Sequence, residues 1–428
     1  MKRALPQLLQ IYLILVPLLC FGTQKKLNPL RASGFNAFIN FNKITALPGL
    51  SCDNTGMKCI AVGYSQSATA TRPLSYTTTD GGISWGAPNQ LSQLSSIAQS
   101  FLLGISCSDD GLSCTAIGAS IISNTGTPIS YTTVDGGATW SIPQPLITPQ
   151  NTPFNVLLNI SCDAKNQNCV AVGYSNPPGN ETPIIYTRNN NGLNWNYIQP
   201  SLPANALTGV LLGVSCDSAA TRCTAIGYVN SADTIIPVNY YSRDGGISWS
   251  TPTLLPILSG ATSSTVTQIN CDTSTGLSCI AVGSASVSGN EVPLSYSSAD
   301  GGVSWNKAIL LTSTATSSGL NALHCDSQAM NCIAMGYALS NGIVHPLKYF
   351  SANGGMDWSD SVQLAPPYEE NNSLTILFQL TCDSLMLNCL TVGNYINATS
   401  VIPLSYNSAT GGTSWGLPLL LQISSTFL

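Results

Sequence analysis

The chain has 428 residues, of which 14 are basic and 19 acidic, so only 8% carry a full charge and the formal net charge is −5; a soluble domain ordinarily carries about 25%. A hydrophobic share of 44% supports a large core and excludes wholesale disorder, while so few lysines and arginines exclude a nucleic-acid partner, because a phosphate track could not be neutralised. Two histidines, His324 and His345, exclude a histidine-rich zinc centre. No metal or other cofactor is expected.

The N-terminus opens with Met1, Lys2 and Arg3, followed by an apolar stretch from Leu8 to Leu19 that is short and broken by Pro17, then Cys20, Phe21 and Gly22. This pattern predicts a secretory signal over residues 1–22, cut near Gly22, and hence a secreted or periplasmic protein. An uncleaved anchor is the alternative; acylation at Cys20 is disfavoured by Leu19, where a small residue belongs. Residues 23–45 form an N-terminal segment whose stretch Phe35 to Ile44 can add a strand or cover an edge. No later stretch reaches about 18 uninterrupted apolar residues, so no membrane span is expected after signal removal, and a monomer is expected.

From there a unit repeats seven times. Apart from Cys20, the cysteines fall into the pairs Cys52/Cys59, Cys107/Cys114, Cys162/Cys169, Cys216/Cys223, Cys271/Cys279, Cys325/Cys332 and Cys382/Cys389. Trp85, Trp140, Trp195, Trp249, Trp305, Trp358 and Trp415 keep the same beat. In the second unit an apolar run from Phe101 ends at Cys107 and a second starts at Cys114. A third runs from Pro128 through Tyr131; after the turn at Gly136 and Gly137, a fourth is predicted to begin at Trp140. These runs are short, rich in β-branched and aromatic residues and bounded by turn formers, with no helical period. Four strands per repeat of about 55 residues suit a propeller blade, since a lone four-stranded sheet cannot bury both faces whereas a ring of sheets can. The expected fold is all-β: a seven-bladed β-propeller of antiparallel four-stranded blades over residues 46–424 (about 46–98, 99–152, 153–207, 208–262, 263–316, 317–373 and 374–424). An open stack of sheets is the runner-up.

Each cysteine pair flanks a tight turn between the first two strands, where cross-strand neighbours are close enough to bridge, so one disulfide per blade is expected. Asp53, Asp163, Asp217, Asp272, Asp326 and Asp383 follow the first cysteine, with Ser108 in the second repeat. Their expected work is to accept turn N–H groups; calcium would need more acidic oxygen ligands than each turn offers.

The turn before each tryptophan is the most specific motif. Repeat one reads TTDGGISW over residues 78–85, and the same pattern surrounds Asp135, Asp244 and Asp300; Asn190, Asn353 and Thr410 depart from it. This resembles the Asp-box, or bacterial neuraminidase repeat, of the sialidase-like superfamily. The Cys-rich segment is also similar to secreted bacterial relatives of the photosystem II stability/assembly factor. The resemblance implies a turn at the outer edge of the blade, away from the ligand side. Asp80 and Trp85, Asp135 and Trp140, Asp244 and Trp249, and Asp300 and Trp305 are accordingly expected to be structural.

Sialidases clamp a substrate carboxylate with three arginines, one in a Phe/Tyr-Arg-Ile-Pro motif. Here Arg188, Arg222 and Arg243 fall on the opposite side from the ligand face, and only Arg72 lies between strands two and three. The acids expected on the ligand side are Glu181, Asp233 and Glu291, of which the two glutamates sit in similar loops two repeats apart. No serine nucleophile with a histidine partner is evident. Tyr64, Tyr174, Tyr228 and Tyr337 follow the strand-two glycine, where they either line a ligand face or pack between blades. The expected function is therefore non-catalytic recognition of a glycan or protein partner, with weak binding candidates Tyr64, Tyr174, Tyr228, Tyr337, Arg72, Glu181, Asp233 and Glu291. A glycoside hydrolase of sialidase-like fold and a structural or assembly factor of the cell envelope are the alternatives. Glycosylation sequons stand at Asn159, Asn180, Asn371 and Asn397.

Overall fold

The computed structural model describes residues 43–67, 70–123, 125–176, 181–190, 194–231, 234–368, 373–397 and 399–422; the signal segment, the stretch from Phe35 to Asn42, Asn180, Asp233 and Asn371 lie outside them. The described chain is all-β, with 28 strands and no helix among the described residues. In the first repeat, β1 (Lys43–Cys52), β2 (Cys59–Gln66), β3 (Thr71–Thr78) and the short β4 (Asn89–Gln90) pair antiparallel in that order. Later repeats copy this pairing.

Register explains the shared residues. Cys52 lies directly opposite Cys59, and the other pairs are set the same way. All seven disulfides are formed, with Cα atoms 4.0 or 4.1 Å apart: Cys52–Cys59, Cys107–Cys114, Cys162–Cys169, Cys216–Cys223, Cys271–Cys279, Cys325–Cys332 and Cys382–Cys389. The fifth turn is one residue longer, yet Cys271 still meets Cys279 at 4.0 Å.

The two cysteines of a bridge are not equally exposed in every repeat. The second one is buried in every repeat: Cys59, Cys114, Cys169, Cys223, Cys279, Cys332 and Cys389 each belong to an apolar cluster. The first is partly exposed in repeats one to three, at Cys52, Cys107 and Cys162, and buried in the other four, at Cys216, Cys271, Cys325 and Cys382. The reason is that strand two is an inner strand, covered on both faces, so a sulfur at its start packs as a small apolar group. In repeats four to seven both sulfurs are therefore part of the core, and Cys223, Cys279, Cys332 and Cys389 offer nothing to a ligand.

A bulge interrupts the first strand of each repeat opposite the strand-two glycine; at Gly63 an added Cβ would lie 1.8 Å from the Ala46 carbonyl oxygen, and at Gly118 it would lie 2.0 Å from that of Phe101. Only glycine fits there. The second glycine position is the turn after strand three, where Gly81 and Gly82 hold φ of 68° and 84°.

The fourth strand also differs from expectation. It does not begin at the tryptophan: Trp140 lies in the turn, and only Gln144–Pro145 pair with strand three, as Asn89–Gln90 do after Trp85. The indole has another partner. Nε1 of Trp140 donates to Ser75 Oγ of the preceding repeat, and Trp305 and Trp358 donate likewise to Asn239 and Ser295. Where the preceding repeat offers no acceptor, at Ile185 and Lys348, Trp249 and Trp415 turn back onto the carbonyls of Gly246 and Gly412. Lys348 itself donates to the carbonyls of Gly412 and Thr413.

A second clamp runs through the strand-three tyrosines, buried in every repeat. Each hydroxyl donates to a backbone carbonyl of the preceding repeat: Tyr131 to Ser92, Tyr186 to Ile147, Tyr240 to Ser201, Tyr296 to Pro256, Tyr349 to Thr312 and Tyr406 to Ala365. The first repeat uses both clamps on the last, Tyr76 donating to Gln422 and Trp85 to Ser405. The same two repeats also pair in parallel at Lys43–Ser400 and Ile44–Val401, and Asn394 donates to the Thr45 carbonyl. Apolar clusters fill the spaces between neighbouring repeats, and one further cluster gathers residues of several first strands, among them Phe101, Leu103, Val156, Leu158, Leu212 and Phe378.

Candidate functional site

Where the first strands converge, a cavity of about 40 Å³ is lined by Gly49, Leu103, Asn159, Gln268, Asn321 and Gln379, among others. Beside the Thr267 hydroxyl the polar side chains are amides, and three of them bond to one another across non-adjacent repeats: Gln268 Nε2 donates to Gln379 Oε1 at 2.8 Å, and Asn159 Nδ2 approaches Gln268 Oε1 at 3.5 Å. These side chains come from the third, fifth and seventh repeats, so they cross the space between the first strands. No lining side chain is ionisable. The cavity has room for water, not for acid–base chemistry.

The carboxylates divide by end of the sheets. Apart from Asp360, exposed between Trp358 and strand four of the sixth repeat, every described aspartate lies in a turn at the cysteine-bearing end or in the Gly-Gly turns beside it. Asp53 accepts from the N–H groups of Met57 and Lys58, and Asp217, Asp272 and Asp383 do the same in their own turns. Asp135 accepts from the Thr139 hydroxyl and N–H and from the Thr133 hydroxyl, which pull its pKa down to about 2. Asp80, Asp244 and Asp300 hold the equivalent bonds, with the indoles of Trp85, Trp140, Trp249 and Trp305 half-buried beside them. These turns leave little for a ligand. Among the described residues no group of three or more His, Cys, Asp or Glu could hold a metal.

Glu181 and Glu291 are the described carboxylates at the other end, where strands two and three join. Each starts strand three of its repeat and meets the tyrosine that follows the strand-two glycine in the next repeat. Tyr337 donates its hydroxyl to Glu291 Oε2. Burial, then the charge and hydrogen bond of Glu291, hold the Tyr337 pKa well above the usual phenol value. Tyr228 is raised by burial and then by Glu181 and Tyr174. Both phenols therefore stay protonated, and Tyr337 acts as a donor. The main chain fixes the pairs further, with Gly209 N–H on the Glu181 carbonyl and Glu291 N–H on Ser317 Oγ. Glu181 and Glu291 are half-buried, with Glu291 Oε1 shielded from solvent, while Tyr64, Tyr174, Tyr228 and Tyr337 are buried in the central cluster, Tyr64 edge-on to Phe101. Arg72 is exposed on the first repeat. Asn159, a sequon position, lies in the amide network, whereas Asn397 Oδ1 accepts from Thr399 and Ser400.

All four members of the two Glu–Tyr pairs are candidates in the sequence, but nothing there joins them at first sight. The signal was present: Glu181 and Glu291 share one register, and Tyr228 and Tyr337 share another, one repeat further on. The amide network was missed, because its members occupy the position after the bulge, which is glycine at Gly49, Gly104 and Gly213 and alanine at Ala322.

No protein-family model and no curated protein matches the chain. Solved structures do. An ulvan lyase of polysaccharide lyase family PL25 superposes with a TM-score of 0.54 at 9% identity, over 85% of this chain and 94% of that one. The same type of enzyme bound to -[GlcA(1-4)Rha3S]- gives 0.53 at 10% identity over the same shares. A Hadza microbial sialidase gives 0.45 at 12% identity, over 87% of this chain and 66% of that one. The expectation of non-catalytic recognition is thereby corrected: a solved structure that this fold follows over 85% of the chain is a polysaccharide lyase. The missing arginine triad bears on sialidase chemistry alone, not on every chemistry the fold can carry. The seven disulfides agree with an oxidising, extracytoplasmic setting, and no helix among the described residues is long and apolar enough to cross a membrane.

Proposed function

We propose that residues 46–424 form a secreted seven-bladed propeller of the Asp-box type, behind a signal over residues 1–22, and that it cleaves the glycosidic bonds of an extracellular glycan. The observation that carries this reading is the separation of the acids. All the described aspartates but Asp360 lie in turns at one end, most of them accepting turn N–H groups, while Glu181 and Glu291 stand at the other, each half-buried and beside a tyrosine of the next repeat. Structural carboxylates in this chain are satisfied by turn N–H groups, whereas these two are placed on rigid strand starts, as groups that must meet a substrate are. The fold likeness to a polysaccharide lyase and the bonds between the first and last repeats support it.

The test is to incubate the mature chain with a panel of soluble polysaccharides and follow chain length by size exclusion and by new reducing ends. Shortening of at least one polymer is expected, with a fall of about 100-fold or more in Glu181→Gln and Glu291→Gln. Both substitutions keep shape and a hydrogen-bond acceptor for the tyrosine, so circular dichroism should be unchanged. A chain that shortens none of the panel refutes the proposal.

A further inference from the structure

We infer that the space between the first strands is a blind well, open at the cysteine end of the sheets, that binds a small uncharged polyol. The site lies at the opposite end from Glu181 and Glu291 and stands independently of the glycan cleavage proposed above.

The first strands change character along their length. At the Glu181 and Glu291 end, Phe101, Val156, Val210 and Ile376 are buried in one apolar cluster, and the same register is buried in the other repeats, so that end is closed. Leu103, Leu158, Leu212 and Phe378 form the next layer and roof the cavity of about 40 Å³. After the bulge the lining turns polar, with Asn159, Gln268 and Gln379 in the cavity wall. Two residues on, and so on the same face of each strand, come Ser161, Asn270 and Thr381. These three are half-exposed, as are Ser51 and Ser106 in their register. Polarity and exposure thus rise together toward the cysteine end, where the well opens. Main-chain bonds between the cysteine turns fix its rim. Asn54 N–H donates to the Asp109 carbonyl, Asp109 N–H to that of Ala164, and the series runs on to Ser327, while Ser384 N–H returns to the Asn54 carbonyl. A rim held in this way is already shaped before a ligand arrives.

The groups on offer suit hydroxyls. Ser51, Ser106, Ser161 and Ser215 each accept the N–H of the next repeat's first cysteine and keep their own proton to donate. Gln268 is committed, its Nε2 donating to Gln379 and its Oε1 accepting the Ile269 N–H, but Gln379 Nε2 and the side-chain amide of Asn270 bond to no other described residue. Donors and acceptors are therefore intermixed and none is charged. His324, which takes the serine register in the sixth repeat, has its pKa drawn down to about 4 by burial and is neutral near pH 7. A hydroxyl both donates and accepts, whereas an ion would give up its hydration for dipoles alone. The repeat itself does not require these amides, because glycine holds their register at Gly49, Gly104 and Gly213. The cavity has room for about three waters at ~10–15 Å³ each, and two or three hydroxylated carbons can displace them while reproducing their hydrogen bonds.

The experiment follows the side-chain amide signals of the whole mature chain, isotopically labelled at nitrogen, by nuclear magnetic resonance as erythritol is added, with acetate and methylammonium as charged probes. Expected is a saturable shift of the Asn270, Gln268 and Gln379 signals, with a Kd in the millimolar range, and none with either ion. Asn270→Leu and Gln379→Met keep the volume and remove the polar atoms. Each should weaken binding about fivefold or more, read on the Gln268 signal, with circular dichroism unchanged. The half-exposed Asn270 keeps the test available if Gln379→Met does not fold. Glu291→Gln should leave binding within about twofold. No saturable shift with erythritol, equal binding by a folded variant, or an equal response to an ion overturns the inference. A loss in Glu291→Gln also overturns it, since the polyol would then sit at the other end of the sheets. Polysaccharide cleavage plays no part in this readout, so the two proposals fail separately.

Discussion

His324 offers a pH experiment whose size follows from its surroundings. It precedes Cys325 in the first strand of the sixth repeat. Ser51, Ser106, Ser161 and Ser215 occupy that register elsewhere and accept from the N–H of the next repeat's first cysteine. Burial pulls the imidazole pKa from 6.5 to about 4, although the carboxylates of Asp326 and Asp383 pull the other way. The folded protein thus takes this proton only near pH 4, while the unfolded chain takes it near 6.5. Between those values unfolding absorbs a proton, so stability falls as pH falls through the window and the contribution levels off below it. A displacement of about 2.5 units at 1.36 kcal/mol each gives a loss of roughly 3 kcal/mol at most. Urea unfolding with the disulfides intact, at about pH 7 and about pH 4, should show the parent losing about 2–3 kcal/mol more than His324→Gln does. Carboxylates that titrate lower are common to both proteins and cancel in the difference. Equal losses would show that the imidazolium is solvated or paired in the folded state, and the burial argument would fail.

Three further outcomes are expected. Tyr76→Phe removes the hydroxyl bond to Gln422 and leaves that carbonyl short of a donor, so a loss of roughly 1–2 kcal/mol is expected by urea titration, with the repeat-one strands first to lose hydrogen-exchange protection. Gly118→Ala forces a Cβ to within 2.0 Å of the Phe101 oxygen, where the bulge cannot yield cheaply; destabilisation of roughly 3 kcal/mol or more is expected, against about 1–2 for Gly289→Ser, whose Cβ meets open space and whose cost is the strain of its φ of 88°. Arg188 sets its Nη2 3.0 Å from Cys169 Sγ, where a guanidinium stabilises a departing thiolate, and the partly exposed Cys162 is the sulfur open to attack. The Cys162–Cys169 bridge should therefore be the first reduced by a dithiol, as read by alkylation and peptide mapping, and Arg188→Met should remove that precedence. The fully buried bridges Cys216–Cys223, Cys271–Cys279, Cys325–Cys332 and Cys382–Cys389 should be the last.

Local chemistry repeated often enough can be read without coordinates. The cysteine pairs, the Gly-Gly turns and the strand-three tyrosines each solve a problem within one repeat or at one kind of junction, and the repetition made them visible. The strands, the disulfides and the turn aspartates followed from that. Other features depend on the neighbour and could not be read from one repeat. The second cysteine of each bridge is buried because the sheet of the preceding repeat covers the inner strand that carries it. The tryptophan begins no strand and its indole donates to a side-chain oxygen one repeat back at Trp140, Trp305 and Trp358, or to a glycine carbonyl of its own turn where that neighbour is Ile185 or Lys348. Glu291 and Tyr337 lie 46 positions apart in the chain and touch only because adjacent sheets bring strand three of one against strand two of the next. Gln268 and Gln379 meet across the space between the first strands, a contact that needs repeats five and seven to face each other. The sequence alone determined what each repeat does for itself, since hydrogen bonds and turns act over a few residues. Tertiary structure decided which unrepeated side chains stand together, since that depends on how the sheets are arranged around one another.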